Sequence, residues 1–347
     1  MRTPTLALTA LSTLLISALG CQSPSTHRTA WSDSPDAVRG GGAGKASSTV
    51  ALSARGDSNS LETIGLNDRL SVMSFNMEHR DRPKELAVMA NHLRSDAAET
   101  PDFILLQEVV FARSRIAGEE NTAAVLANEL GYYSRGTQRS SDREGIAIVS
   151  RYPFLYYASR ELSHQTSGLL LGFKRVSVMG EFNVPQIGRV RVVDVHLTNW
   201  DFDAHVRRKQ LEETLIWAGQ RQKDSPCDLV VFGGDFNITA DSDDLDMMRN
   251  TALTGGIEYR SYNNERTNTR GGKRVDYIYV ATPADRSNLS YINEQMMWTD
   301  GLTFSSTGSH FQLSDHLPVL QEYRIARGSS RGNTAGATAS ALTNHGE

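Results

Sequence analysis

From residue 70 onward the chain alternates between short apolar runs and polar punctuation. The runs are LSVMSF (70–75), DFILLQ (102–107), GIAIVS (145–150), VSVMGEFNV (176–184), RVRVVDVHL (189–197), DLVVFGG (228–234), RVDYIYV (274–280) and LPVLQEYRI (317–325). Their length and β-branched content predict strands. Helical spacing appears between some of them: Leu86, Met89, Ala90 and Leu93; Ala123, Leu126, Ala127 and Leu130; and Val206 to Trp217 with Leu211 and Leu215 on one face. Strands outnumber helices, so the class is α/β or α+β with a strand-rich core. No 20–50-residue repeat is apparent.

The first residues follow another pattern. MRTPTLALTALSTLLISALGCQS places Arg2 before an apolar stretch from Leu6 to Leu19 and then Gly20-Cys21. The stretch falls short of the roughly 20 apolar residues that a spanning helix needs, so residues 1–20 are expected to be a signal peptide. The end of the stretch resembles the bacterial lipoprotein signal, although Ala18 stands where that pattern usually has leucine. The resemblance implies lipidation of Cys21, export, and a lipid anchor in the bacterial cell envelope; the alternative is a soluble secreted or periplasmic protein. Residues 21–66 are rich in Ser, Gly, Ala and Thr and are expected to be a flexible tether. Residues 327–347 have the same character and are expected to be a disordered tail, which leaves 67–326 as the folded domain.

Composition changes this picture little. The chain has 347 residues, 39% of them hydrophobic and 22% charged, with a formal charge of −4. No global basic field advertises nucleic acid, and only a local positive groove would serve a polyanion. Cys227 is the one cysteine beyond Cys21, so no disulfide is expected in a mature chain, and its place in SPCDLVV suits a small buried apolar residue.

The candidate chemistry stands at the strand ends. Asn76 follows SVMSF, Glu108 follows FILLQ, His196 follows VVDV, and Asp235 and Asn237 follow VVFGG. Asp276 lies within RVDYIYV, and Asp315 and His316 precede LPVL. Gathered in one place, such groups make a dense cluster of carboxylates and imidazoles, which favours a bound cation. Taken singly, a Gly-Asp-x-Asn stretch is an ordinary self-bonded turn and a strand histidine an ordinary core residue.

Their order is more specific. SFN (74–76), LLQE (105–108), REGIAIVSR (143–151), DVHL (194–197), GGDFN (233–237), RVDYI (274–278) and SDHLPV (314–319) together resemble the endonuclease/exonuclease/phosphatase superfamily over about residues 67–325. The resemblance implies a four-layer α/β/β/α sandwich of two mixed sheets and a divalent-metal-dependent phosphoesterase. It implies Glu108 as principal metal ligand, with Asn76 and Asp315 contributing directly or through water. Asp235 would handle the attacking water, Asn237 would orient the water or the phosphate, and His196 and His316 would hold phosphoryl oxygens. Asp276 would fix the ring of His316, Glu144 that of His196, and Arg207 of the R-x-x-Q-L pattern would touch phosphate.

Hard oxygen ligands suit Mg²⁺, with Mn²⁺ or Ca²⁺ as alternatives. The expected substrate is a phosphate ester of nucleic acid or of a phospholipid head group. Nuclease-like cleavage is preferred, with sphingomyelinase or phospholipase C-type and phosphomonoesterase activities as alternatives, and a non-catalytic surface lipoprotein as the rival outside enzymology. The loop EYRSYNNERTNTRGGKR (258–274) adds five basic residues beside Asp276. No protein partner is inferable, and a monomer is expected.

Overall fold

The computed structural model describes residues 69–325, apart from residues 80, 82, 96–99, 112–120, 140–142, 164–173, 200–203, 257, 261–265, 270, 283–288 and 304–306. Cys21, the signal-like stretch, the tether and the tail 327–347 lie outside the described residues.

Every predicted apolar run is a strand. The first sheet is built from β1 (Arg69–Asn76), β2 (Phe103–Val110), β3 (Tyr133–Gln138), β4 (Glu144–Ser150), β10 (Leu289–Met296) and β13 (Val319–Ile325), in the order β10-β13-β1-β2-β4-β3. The second contains β5 (Tyr156–Glu161), β6 (Val176–Val184), β7 (Gly188–His196), β8 (Leu229–Asp235) and β9 (Asp276–Ala281), side by side in sequence order. A small hairpin pairs β11 (Leu302–Thr303) with β12 (His310–Phe311).

Among the described residues the α-helices are α1 (Pro83–Ser95), α2 (Thr122–Leu130) and α3 (Ala204–Asp224), where the 3.6-residue spacing predicts them. Around α2 the ends are chemically specified. Asn121 accepts the Ala124 N–H at 2.9 Å, and Gly131 closes the helix at φ 71°.

Alternation along each strand sorts the side chains into three cores, and hence four layers. Leu70, Val72, Phe103, Leu105, Val190, Val192 and Val231 fill the space between the sheets. The opposite faces of β1 and β2, with Met73, Phe75, Ile104 and Leu106, pack under α1 and α2. Val193, Val195, Val230 and Phe232 on the other sheet pack under Leu211, Leu215 and Ala218 of α3. Each sheet thus buries both faces, which explains why the runs are almost continuously apolar.

Strands β3, β5 and β10 were not expected. Each forms the edge of its sheet, and YSRGTQ, YYASRE and LSYINEQM carry no sustained apolar run. An edge strand has half the pairing and less burial, so its sequence is freer to be polar.

Topology decides where chemistry collects. β1 runs parallel to β2 and β7 parallel to β8, so Asn76, Glu108, His196 and Asp235 arrive at the same end of the sandwich. β4, β9 and β13 run antiparallel to their neighbours and begin at that end, bringing Glu144, Asp276 and the residues before Val319.

A candidate active site at the strand ends

Asp235 is the hub. It closes β8 opposite Asp276, which opens β9. Its Oδ1 accepts the Asn237 backbone N–H at 2.9 Å, and its Oδ2 accepts Asn76 Nδ2 at 3.0 Å. His196 Nε2 and His316 Nε2 stand 3.6 Å and 3.9 Å from Oδ2. The β8 backbone gets this close because of its glycines. A Cβ on Gly233 would lie 2.7 Å from Leu105 Cδ1, and one on Gly234, at φ 133°, would lie 2.0 Å from the Val195 carbonyl. Burial raises the Asp235 carboxyl, and the neighbouring Asp276 adds to this; cationic His316 and the bonds from Asn76 and Asn237 pull back, leaving it at about 7.

His316 is held from behind. Its Nδ1 lies 2.8 Å from Asp276 Oδ2, as the resemblance implied. Burial alone would lower its pKa, yet Asp276 and Asp235 outweigh that and raise it to about 10. Asp235, Asp276 and His316 also form the one group of potential metal-ligand atoms found among the described residues. A cation there would have to replace the Asp276–His316 hydrogen bond. We therefore read these side chains as acid-base machinery.

Glu108 is the better match to a cation. A register shift in β2 between Leu106 and Val109 turns it out of the ladder at φ 54°. Its Oε1 accepts Asn76 Nδ2 at 3.3 Å, and its Oε2 faces His79 Nε2 at 3.0 Å. Burial would push its pKa up, but the His79 bond, then its charge, Asn76 and Arg175 bring it below the usual carboxylate value. An anionic carboxylate is a hard-oxygen ligand, and Glu108 can offer it to a divalent ion without disturbing the Asp276–His316 pair. Asn76 turns its amide nitrogen toward both carboxylates, because its Oδ1 accepts the Glu78 N–H at 3.0 Å. It therefore orients the acids.

His196 is buried, and burial first, then Arg175, Arg139, His316 and His79, lowers its pKa well below the ordinary value, so the ring is neutral. Its pairing with Glu144 requires correction. Among the described residues, the carboxylates within 4 Å of His196 are Asp235 and Glu108, the latter at 3.9 Å. Glu144 pairs instead with His79 Nδ1 at 3.0 Å and with Arg139. The physical reason is the start of β4: Glu144 sits opposite Val110, beyond Glu108 in β2. His79 reaches that place from the turn after β1.

Asn237, at φ 52°, donates Nδ2 to the Leu197 carbonyl at 3.1 Å and so fixes the chain after His196. Asp315 is half-buried; its N–H donates to Glu78 Oε2 at 3.1 Å, and its carbonyl receives the N–H and hydroxyl of Thr269. Arg207 is a half-buried residue of α3, and Gln210 of the same motif accepts the Thr198 N–H with its Oε1 at 2.9 Å, two residues beyond His196.

Several residues were missed. His79 links Glu108 to Glu144 from an irregular turn that offers no periodic signal. Gln107 and Asp194 form a buried layer below the site, with Gln107 Nε2 donating to Asp194 Oδ1 at 2.7 Å. A signal existed here: Asp194 is two residues before His196, on the same strand face, inside an otherwise apolar run. Asn268 belongs in sequence to the basic loop, yet its Nδ2 lies 3.0 Å from His316 Nε2.

Comparison with known proteins agrees with this fold. Residues 73–316 match the model of the "Endonuclease/Exonuclease/phosphatase family". No curated protein matches in sequence. Among solved structures, the human Nocturnin catalytic domain with bound sulfate is similar at 16% identity, covering 75% of this chain and 96% of its own, with a TM-score of 0.55. A mannosyl-6-phosphatase from Bacteroides thetaiotaomicron has 17% identity, 73% and 99% coverage, and a TM-score of 0.54. A humanized D. rerio TDP2 has 18%, 74% and 99%, and 0.52. At these identities the likeness shows the fold.

Proposed function

Since the chain belongs to the endonuclease/exonuclease/phosphatase family, whose members are divalent-metal-dependent phosphoesterases, we propose that it uses Mg²⁺ to hydrolyse phosphodiesters in a nuclease-like reaction. The observation that carries this reading is the convergence of Asp235, the Asp276–His316 pair and Glu108 at one buried strand end. Glu108 would hold the ion, with Asp315 reaching it directly or through water. When bound, the ion supplies charge neutralisation at the phosphoryl oxygens.

The rest is done by side chains. With a pKa near 7, Asp235 is a usable base at neutral pH and takes a proton from the attacking water. Asn76 and the Asn237 N–H fix both of its oxygens, so the carboxylate does not rotate away. His316, kept cationic by Asp276, stabilises charge on a phosphoryl oxygen. Neutral His196 offers a second nitrogen to the same group from the other side of Asp235. The water oxygen bonds to phosphorus as the ester oxygen opposite leaves.

A diester is favoured because the site is rich in carboxylates, and a monoanionic diester meets less repulsion there than a dianionic monoester. Export and anchoring through Cys21 would place this activity at the cell envelope, beside both extracellular nucleic acid and phospholipid. The test is the purified full-length chain with Mg²⁺, Mn²⁺ or Ca²⁺ against plasmid DNA, RNA, sphingomyelin and p-nitrophenyl phosphate, with Glu108→Ala as control. Metal-dependent loss of supercoiled plasmid is expected. Exclusive release of phosphate from the monoester would overturn the nuclease-like reading. Palmitate labelling of wild type but not of Cys21→Ala checks the anchor.

A further inference from the structure

We infer that Asn268 is a substrate-contacting residue: its carboxamide Nδ2 and His316 Nε2 form a two-point clamp on one non-bridging phosphoryl oxygen. The inference rests on the phosphodiesterase reading above and names a contact that reading lacks.

The first argument is position. Asp276 takes His316 Nδ1 at 2.8 Å, so Nε2 is the nitrogen left to meet substrate, and Asn268 Nδ2 lies 3.0 Å from it. Asn268 is half-buried, whereas Asp276 is buried; the amide stands on the open side of the ring.

The second argument is orientation. Carboxamide oxygen and nitrogen are told apart by their partners. Asn268 Oδ1 accepts the Gly271 backbone N–H, which forces the NH₂ group toward His316. That assignment holds for either proton state of the imidazole. A neutral ring accepts the Nδ2 hydrogen at Nε2, and a charged ring sets two donors 3.0 Å apart, which an acceptor oxygen placed between them relieves.

The third argument is rigidity. The Asn268 N–H donates to the Lys273 carbonyl at 2.9 Å, and its own carbonyl accepts Gly272 N–H at 2.9 Å. On either side, Leu317 N–H donates to the Thr267 carbonyl and Thr269 N–H to the Asp315 carbonyl, each at 2.8 Å. The Thr267 hydroxyl oxygen accepts the N–H groups of Val275 and Asp276 at 3.0 Å and 3.1 Å. The segment is thus sewn to both arms that carry the Asp276–His316 pair. A donor whose aim is fixed before the reaction is what transition-state stabilisation requires.

The test uses the full-length chain, a p-nitrophenyl thymidine phosphodiester, and the two phosphorothioate diastereomers of that ester. Removing one such donor lowers kcat on the order of 10²-fold, which is the loss expected for Asn268→Ala. Sulfur is a poor hydrogen-bond acceptor, so the wild type should discriminate against sulfur at the clamped position, and Asn268→Ala should lose that discrimination for one diastereomer only. Asn268→Asp separates contact from scaffolding. It keeps the oxygen that accepts from Gly271 but lacks the NH₂, and is expected to be at least as impaired as Asn268→Ala. Wild-type activity in the aspartate variant, or a loss below about threefold in the alanine variant with the wild type active, overturns the clamp alone. A wild type inert toward every phosphodiester overturns the function and the clamp together.

Discussion

Two charge clusters are built into the second sheet, and they are opposites. At the active end, Asp235 and Asp276 share a buried space with Glu108, and Asp235 is held near 7. Five residues back along β7, about 17 Å at strand rise, Arg191 is wholly buried on the other face. There a single carboxylate, Glu181, meets Arg191 Nη2 at 2.8 Å, Arg221 Nε at 2.8 Å and Arg189. Arg191 also donates to Gln222 Oε1 at 2.7 Å and to the Ser225 carbonyl at 2.6 Å. Burial would raise Glu181, but Arg221 and then Arg191 bring it below the usual value. In the lower cluster the carboxylate faces guanidinium groups, and it closes the joint between α3 and the sheet. In the upper one Asp235 and Asp276 face each other, an arrangement that a cation relieves. A carboxylate set among cations marks scaffolding, and carboxylates set against each other mark chemistry.

Breaking each cluster should therefore damage different things. In the upper one, Asp235→Asn removes the base while keeping the shape. Its expected loss in kcat is on the order of 10³ to 10⁴, at the upper end for general-base removal, measured on a p-nitrophenyl phosphodiester. Its thermal stability without added metal should equal or exceed wild type, because a buried carboxylate has been neutralised. A fall in both activity and stability would erase the contrast.

In the lower cluster, Glu181→Gln leaves Arg191 as a buried charge lacking its anion. The expected destabilisation is about 3 to 5 kcal/mol, read from a urea midpoint, with kcat of the folded fraction near wild type. A loss of activity at unchanged stability would mean that Glu181 belongs to the site after all. Between the two stands Gly234→Ala. It strains a backbone at φ 133° and drives a Cβ into the Val195 carbonyl beneath Asp235. A strain of about 1 to 3 kcal/mol is expected, together with a drop in kcat from displacement of the Asp235 carboxylate.

The same contrast explains what the sequence could tell. Strands that bury both faces announce themselves, so β1, β2, β7 and β8 were legible and with them the residues at their ends. Asp276 behind His316 followed from motif order. Glu144 did not, because its partner depends on how far β4 overlaps β2, and a single strand does not encode its neighbour's register. His79 arrives from a turn at φ 60°, where no periodicity operates. Asn268 acquires meaning only when the loop is folded back over residues 315–317. Arg191 and Glu181 lay inside strands read as core, and nothing local distinguishes a buried pair from a polar interruption until the cross-strand register, Glu181 opposite Arg191, is known.

The pH dependence of stability is the most direct test of this contrast, since it needs no change of fold. Asp235 titrates higher in the folded protein than in the unfolded chain, where a carboxylate titrates near 3.9. The folded state therefore holds the extra proton, and its metal-free stability falls as pH rises from about 4 to about 7. Glu181 has the reverse sign: its folded pKa is depressed, so its contribution is present above the unfolded value and lost as pH falls through the folded one. Melting curves in chelator from pH 4 to pH 7 should show wild type losing stability relative to Asp235→Asn. Over the same range kcat/KM with metal present should rise as Asp235 ionises, in opposition to the metal-free stability. Parallel melting profiles for the two proteins would show that the Asp235 carboxyl is not raised by folding.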